Sequence, residues 1–135
     1  SARKGSPEHE CVETILKGAE TELPAGVSFP DKNNKLRSEA RVRWWASQAR
    51  DLAGMVLGPT SLYEATAGLP PTLDALQAYP PADPPVFFGH YWFTGDPVLQ
   101  ASNVACLDYS VARNGKLVAY RWDGEQELSA ARFVW

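Results

Sequence analysis

Histidine, cysteine and methionine are scarce: the 135-residue chain holds two histidines, two cysteines and one methionine. Two histidines, His9 and His90, are too few for a self-contained imidazole metal cage. The cysteines, Cys11 and Cys106, lie too far apart in sequence to form a paired-cysteine zinc motif. Both sit in apolar patterns and are expected to be reduced core residues of a cytoplasmic protein. No apolar run reaches the length of a membrane span. The first residues, Ser1-Ala-Arg-Lys-Gly-Ser6, carry no signal-peptide h-region, and their lack of methionine suits a piece of a longer protein. There is no Gly-x-Ser-x-Gly elbow and no phosphate-binding Gly-rich loop. A net charge of −3 removes the basic excess that a general nucleic-acid binder or an anionic-membrane binder needs.

What is present is the composition of a globular domain, 44% hydrophobic and 21% charged, in a chain long enough for one core. The 11 prolines and 10 glycines imply much irregular chain. One domain over 1–135 is expected, with residues 1–5 frayed and a proline-rich connector over 65–85. Ser6-Pro7 is a helix start, with a serine N-cap and proline at the first helical position. Cys11, Val12, Ile15, Leu16 and Ala19 follow at helical spacing on one face, and Gly18 is the expected C-cap. His9 falls on the polar side of that helix. Leu16, Leu23, Val27 and Phe29 are expected to pin the long loop over 20–38, and Asp31 to Lys35 reads as a surface turn.

Two readings compete over 39–53. Val42, Trp45, Ala46, Ala49, Leu52 and Ala53 share a helical face, whereas Arg41-Val42-Arg43-Trp44 alternates as a strand over 39–45 would. The helix is favoured. Arg41 and Arg43 are candidate substrate ligands, because guanidinium forks match phosphate oxygens. A solvated helix face is the commoner role for such arginines. Trp44-Trp45 could stack a nucleobase, but adjacent tryptophans more often fill a core. Met55 to Leu57 reads as a short strand stopped by Gly58-Pro59, and Thr72 to Gln77 as a helical turn or two within the proline-rich stretch.

Val86-Phe87-Phe88 has the β-branched and aromatic content of a buried strand, and Gly89 ends it. His90 is therefore expected at a strand's C-terminal edge, the usual place for ligand sites in open α/β sheets. A histidine packed among aromatics and bonded to a carbonyl is the plainer reading. Asn103–Ala112 reads as the next strand, with Ala105, Leu107 and Tyr109 on one face. Asp108 is the acidic residue within it: a metal ligand, a partner that orients His90, or, the preferred reading, an acceptor for turn amides. Asn114-Gly115 signals a hairpin to Lys116–Trp122, and Asp123-Gly124 a turn toward Leu128–Val134. Trp122, Phe133 and Trp135 are expected to cover one face of this sheet. The fold class expected is α+β, with N-terminal helices and long loops followed by a mixed, largely antiparallel sheet.

Three blocks in order, Val86-Phe-Phe-Gly-His90, Asn103-Val-Ala-Cys-Leu-Asp-Tyr109 and Gly115-Lys-Leu-Val-Ala-Tyr-Arg-Trp122, resemble the C-terminal end of the calcineurin-like metallophosphoesterases. The likeness is to their bacterial diadenosine tetraphosphatase-like and serine/threonine-phosphatase-like branch. The stretches Leu16 to Glu20, Leu23-Pro24, Asp31-Lys32 and Arg41 to Trp45 resemble one group of them as well. The resemblance implies half of an αββα sandwich. It also implies that His90 binds one of two divalent metal ions, manganese or iron and zinc, and that the substrate is phosphorylated. The family's Asp-x-His, Gly-Asp-x-x-Asp and Gly-Asn-His motifs do not occur here, and Trp92 stands where the family often has a second histidine. The chain thus resembles the C-terminal part of a phosphoesterase. Alone it is expected to bind metal weakly and to hydrolyse nothing at a useful rate.

The competing reading is a non-catalytic binding domain that self-associates as a homo-oligomer or covers a partner's active site. A Cys106–His90 nucleophile pair would need a thiolate-stabilising setting that an apolar strand does not offer.

Overall fold

The structure, a computed structural model, describes residues 5–31, 34–46, 49–71 and 78–135. It is of mixed α and β type, with small, mostly antiparallel sheets. The chain divides into two compact units, Ser1–Ala78 and Tyr79–Trp135, and the division falls inside the proline-rich stretch.

In the first unit, α1 (Pro7–Lys17) begins where Ser6 accepts the His9 amide and ends at Gly18, whose N–H donates to the Thr14 carbonyl. β1 (Glu20–Glu22) follows, then β2 (Phe29–Pro30) and β3 (Leu36–Arg37), which pair with each other. β4 (Glu39–Val42) is the centre of a three-stranded antiparallel sheet, flanked by β1 and β5 (Val56–Leu57). α2 (Leu52–Met55) and α3 (Thr60–Thr66) lie on either side of β5 in sequence.

In place of the helix favoured over 39–53, the described residues form a strand, the competing reading, over Glu39–Val42, then a turn, with one helical turn from Leu52; residues 47–48 lie outside the described residues. Ala40 and Val42 are each 1% exposed, while Glu39 is exposed and Arg41 half-buried. This period-two burial comes from two long-range ladders, Ala40 opposite Thr21 and Val42 opposite Val56. Local spacing carries no trace of such partners. Leu23, Ala40, Leu52, Val56 and Leu62 form the core, with Val27 and Phe29 packed against it. Leu16, expected to help, is exposed, as are Val12, Ile15 and Cys11. The apolar face of α1 is real, but no residue of α1 is buried. Helical periodicity shows amphipathicity and not what, if anything, covers the face.

Asp51 ties this unit together. Its Oδ1 accepts the Gly54 amide at the start of α2, and its Oδ2 accepts the Gly68 amide beyond α3. Those two bonds, Gly68's first, hold its carboxyl below the usual range. The resulting stability is present above that range and is lost as pH falls through the lowered value.

In the second unit, β6 (Val86–Phe88) runs parallel to β8 (Val104–Cys106), and β7 (Leu99–Ala101) covers the other edge of β8 antiparallel. β8 is buried along its whole length, as a strand flanked on both sides should be. The strand expected over 103–112 is interrupted. β9 (Asp108–Tyr109) pairs instead with β10 (Lys116–Leu117), and a 3-10 turn, Val111–Arg113, occupies the space between. β11 (Ala119–Tyr120) pairs with β12 (Phe133–Val134). Ala105, Tyr109, Val118, Leu128 and Phe133 form the core, with Phe87, Leu107 and Tyr120 against it. Phe133 is buried, whereas Trp122 and Trp135 are 52% and 57% exposed. Buried Asn103 donates to the Pro80 and Asp83 carbonyls at 2.8 and 2.9 Å, fixing the approach to β6. The short helix expected at Thr72–Gln77 lies outside the described residues, as do residues 1–4 of the expected frayed tail and Lys32-Asn33 of the expected turn.

Gly115 closes the β9–β10 hairpin because only a bare Cα fits. A Cβ there would run into the Tyr109 carbonyl oxygen and come within 2.7 Å of the Ser110 carbonyl oxygen. Gly95 has open space around it and needs glycine only for its φ of +83°. Gly115→Ala should cost about 3 kcal/mol in urea unfolding, and Gly95→Ala about 1 kcal/mol. Equal losses would contradict the close approach.

Candidate functional site

The site is built on the end of β6. The ladder with β8 continues one bond beyond the strand, from the Leu107 amide to the Phe88 carbonyl at 2.8 Å. The chain then turns sharply through Gly89, His90, Tyr91 and Trp92. His90 has φ 69° and Trp92 has φ 55°, both left-handed. For residues with bulky side chains this conformation is costly and has to be imposed by surrounding contacts.

Asp108 imposes it. Its Oδ2 accepts the Trp92 amide at 3.2 Å and its Oδ1 accepts the Ser110 amide at 3.1 Å. Its carbonyl accepts the Phe93 amide at 3.1 Å. The Ser110 hydroxyl donates to the Phe93 carbonyl at 3.0 Å, binding the same loop a second time. Gly89 passes close by, since a Cβ on it would stand 3.6 Å from the Asp108 Cβ. Asp108 therefore acts as the preferred sequence reading has it, as an acceptor of turn amides, and the turn it holds is the one that carries His90. The His90 side chain is exposed at the end of the strand. Phe88, Tyr91, Phe93 and Tyr109 form a chain of ring contacts beneath it, with centroids 4.8 to 6.1 Å apart.

Downstream the loop is equally fixed. The Tyr109 hydroxyl accepts the Val98 amide at 2.9 Å, and Lys116 pairs with Asp96. Trp92 is 42% exposed, and the Arg113 guanidinium carbon lies 4.8 Å from its ring centroid. Arg113 did not stand out in the sequence, and Trp92 did so only as the position where the resembled family often has a second histidine: the two are far apart in the chain, and the 3-10 turn that brings them together has no periodic signal.

The two other candidate ligands lie in the first unit. Arg41 and Arg43 occupy alternate positions of the β4 segment, off the core face. Arg43 donates to the Tyr63 hydroxyl at 3.1 Å and lies 5.4 Å from that ring's centroid. Trp44 and Trp45 meet edge to face, and Trp45 is buried, which is the core role.

Cys106 is fully buried in β8. Burial pushes its thiol up to about 11, so it is protonated at neutral pH and is no nucleophile toward His90's surroundings. Cys11 is exposed, against the expectation that both cysteines are in the core. Among the described residues no group of three His, Cys, Asp or Glu is placed to hold a metal ion. No protein-family profile matches the chain, and no curated protein or solved structure matches it either.

Two outcomes follow. A thiol reagent at pH 8 should modify Cys11 in the native chain and Cys106 only after unfolding; rapid double modification would contradict the burial. The unfolded thiol ionises near 9.0 and the folded one near 11. Stability should therefore decline as pH rises between those values, because the unfolded chain loses that proton first. Separately, Asp108→Ala strands two amides and should destabilise the second unit by about 2–3 kcal/mol, read by urea unfolding. A loss near zero would show that the turn holds itself.

Proposed function

We propose that the second unit belongs to a metal-dependent phosphoesterase and that His90 is one ligand of a divalent metal centre. The observation that carries the reading is the turn itself: a left-handed, exposed histidine at the end of a parallel strand, held by a carboxylate that accepts the turn's Trp92 amide. Strain of that kind is worth maintaining where a side chain must be presented in one direction. The resemblance of the three sequence blocks to calcineurin-like metallophosphoesterases points the same way.

The described residues do not fit a complete metal site. Two metal ions need about ten donor contacts between them, and this turn offers one imidazole. The Asp108 oxygens are taken up by backbone amides. The remaining donors are proposed to come from segments outside this chain, and no hydrolytic step is assigned to these residues alone. A divalent metal bound there would supply Lewis acidity and an activated water for attack on a phosphoester or phosphoanhydride. The contribution of this chain is to hold the imidazole in place. Asp108 does so through the backbone, a positioning role.

A second reading has its own observation. Val12, Ile15 and Leu16 on α1, and Leu117, Trp122, Val134 and Trp135 in the second unit, are all exposed. Apolar surface of this kind suits a binding or self-associating domain.

Manganese titrated into the isotope-labelled chain should broaden the His90 resonances before those of His9, weakly, and His90→Ala should remove the effect. In a longer protein that carries the missing motifs, the same substitution should lower metal content and cut hydrolysis of p-nitrophenyl phosphate by roughly a hundredfold. Full activity with full metal content would overturn the assignment.

A further inference from the structure

Arg113 sits in a turn that is held as firmly as the one carrying His90. The 3-10 turn Val111–Arg113 is bounded by left-handed residues, Ser110 at φ 59° and Asn114 at φ 61°. The amides of Arg113 and Gly115 both donate to the Ser110 carbonyl, at 2.8 and 3.0 Å. Ser110 is in turn bonded to the Asp108 carboxylate and to the Phe93 carbonyl. The two turns therefore share one hydrogen-bonded hub. Across it, the guanidinium carbon of Arg113 lies 4.8 Å from the centroid of Trp92, two residues after His90.

The contact determines what the guanidinium can still do. An arginine packed over a ring uses its π face and keeps its N–H donors pointing outward in the guanidinium plane. Among the described residues no carboxylate or other acceptor bonds the Arg113 guanidinium. Asp96 pairs with Lys116, and the Asp108 oxygens take amides. Arg113 is thus a preoriented, unneutralised fork of donors on the same rigid assembly as the histidine. Guanidinium forks match the spacing of phosphate oxygens and bind them with charge-assisted hydrogen bonds.

We propose that Arg113, laid against Trp92, is a phosphate-binding arm beside His90 and takes the oxygens of a phosphoryl group at that site. It rests on the reading of His90 as a metal ligand, and it names the phosphoryl oxygens as the group that the fork binds. Trp92 is a positioning residue here: its ring holds the guanidinium over it by cation–π attraction.

The test uses the labelled chain without metal. Inorganic phosphate is titrated against potassium chloride at matched ionic strength, and the Arg113 Nε–H and Trp92 indole N–H resonances are followed. A saturable response to phosphate and none to chloride is expected. Arg113→Ala should abolish it. Arg113→Lys keeps a cation near the ring but lacks the fork, and should weaken the response roughly tenfold. An equal response to chloride would mean an adventitious ion only and would overturn the proposal, as would a phosphate response that survives Arg113→Ala. The manganese broadening described above depends on His90 and not on Arg113. Loss of the phosphate response with manganese broadening intact therefore overturns this inference alone. The reverse overturns the metal reading and leaves an anion site.

Discussion

The Asp108 carboxylate is the interaction on which the candidate site depends. It bonds the amides of Trp92 and Ser110, one with each oxygen, and joins two turns that are far apart in sequence. Each left-handed residue costs about 1–2 kcal/mol, and each amide bond to a charged acceptor returns about 1.5–3 kcal/mol. The bond to the Trp92 amide offsets part of the cost of holding His90 and Trp92 in that conformation, and the Phe93 amide bond to the Asp108 carbonyl adds to it. The first unit uses the same device at Asp51, whose two oxygens bridge the amides of Gly54 and Gly68. In both places a short polar side chain replaces the regular secondary structure that a proline- and glycine-rich chain cannot extend.

The rest of the second unit supplies a fixed base for this hub. β8 is buried along its length because β6 and β7 take both its edges. The chain beyond β8 turns into β9, so Asp108 arrives at the same end of the sheet as the Gly89–Trp92 turn. Tyr109 follows at once, buried in the core and bonded through its hydroxyl to Val98 on the loop returning to β7. A functional side chain at a strand end is only as well placed as the strand beneath it, and here β6 is laddered along its length to β8, which is itself held on both edges. The exposed indole of Trp92 and the guanidinium of Arg113 then extend the surface around the histidine.

Local chemistry was legible in the sequence, and long-range pairing was not. Ser6, Pro7 and Gly18 bounded α1 correctly because caps act within a few residues. Val86–Phe88 and the placement of His90 past its end followed from apolar content and a glycine. Asn114-Gly115 marked a reversal, though with a longer connection than a two-residue turn, because β9 ends at Tyr109 and the 3-10 turn intervenes. The stretch over 39–53 misled because its helical spacing was coincidental to ladders with β1 and β5. The α1 face misled in the opposite way: its periodicity was genuine, yet its apolar residues are exposed. Of the site, His90 and Asp108 could be singled out as residue types in context. Their link through the Trp92 amide, and the stacking of Arg113 on Trp92, depend on chain reversals that no window of sequence encodes.

Amide hydrogen exchange at Trp92 and Ser110 tests the central claim most directly, since these two protons report the Asp108 bonds themselves. The account predicts that both exchange far more slowly than in an unstructured peptide and that they open together. Exchange at peptide rates, or protection at Ser110 without protection at Trp92, would show that the carboxylate does not hold the histidine turn.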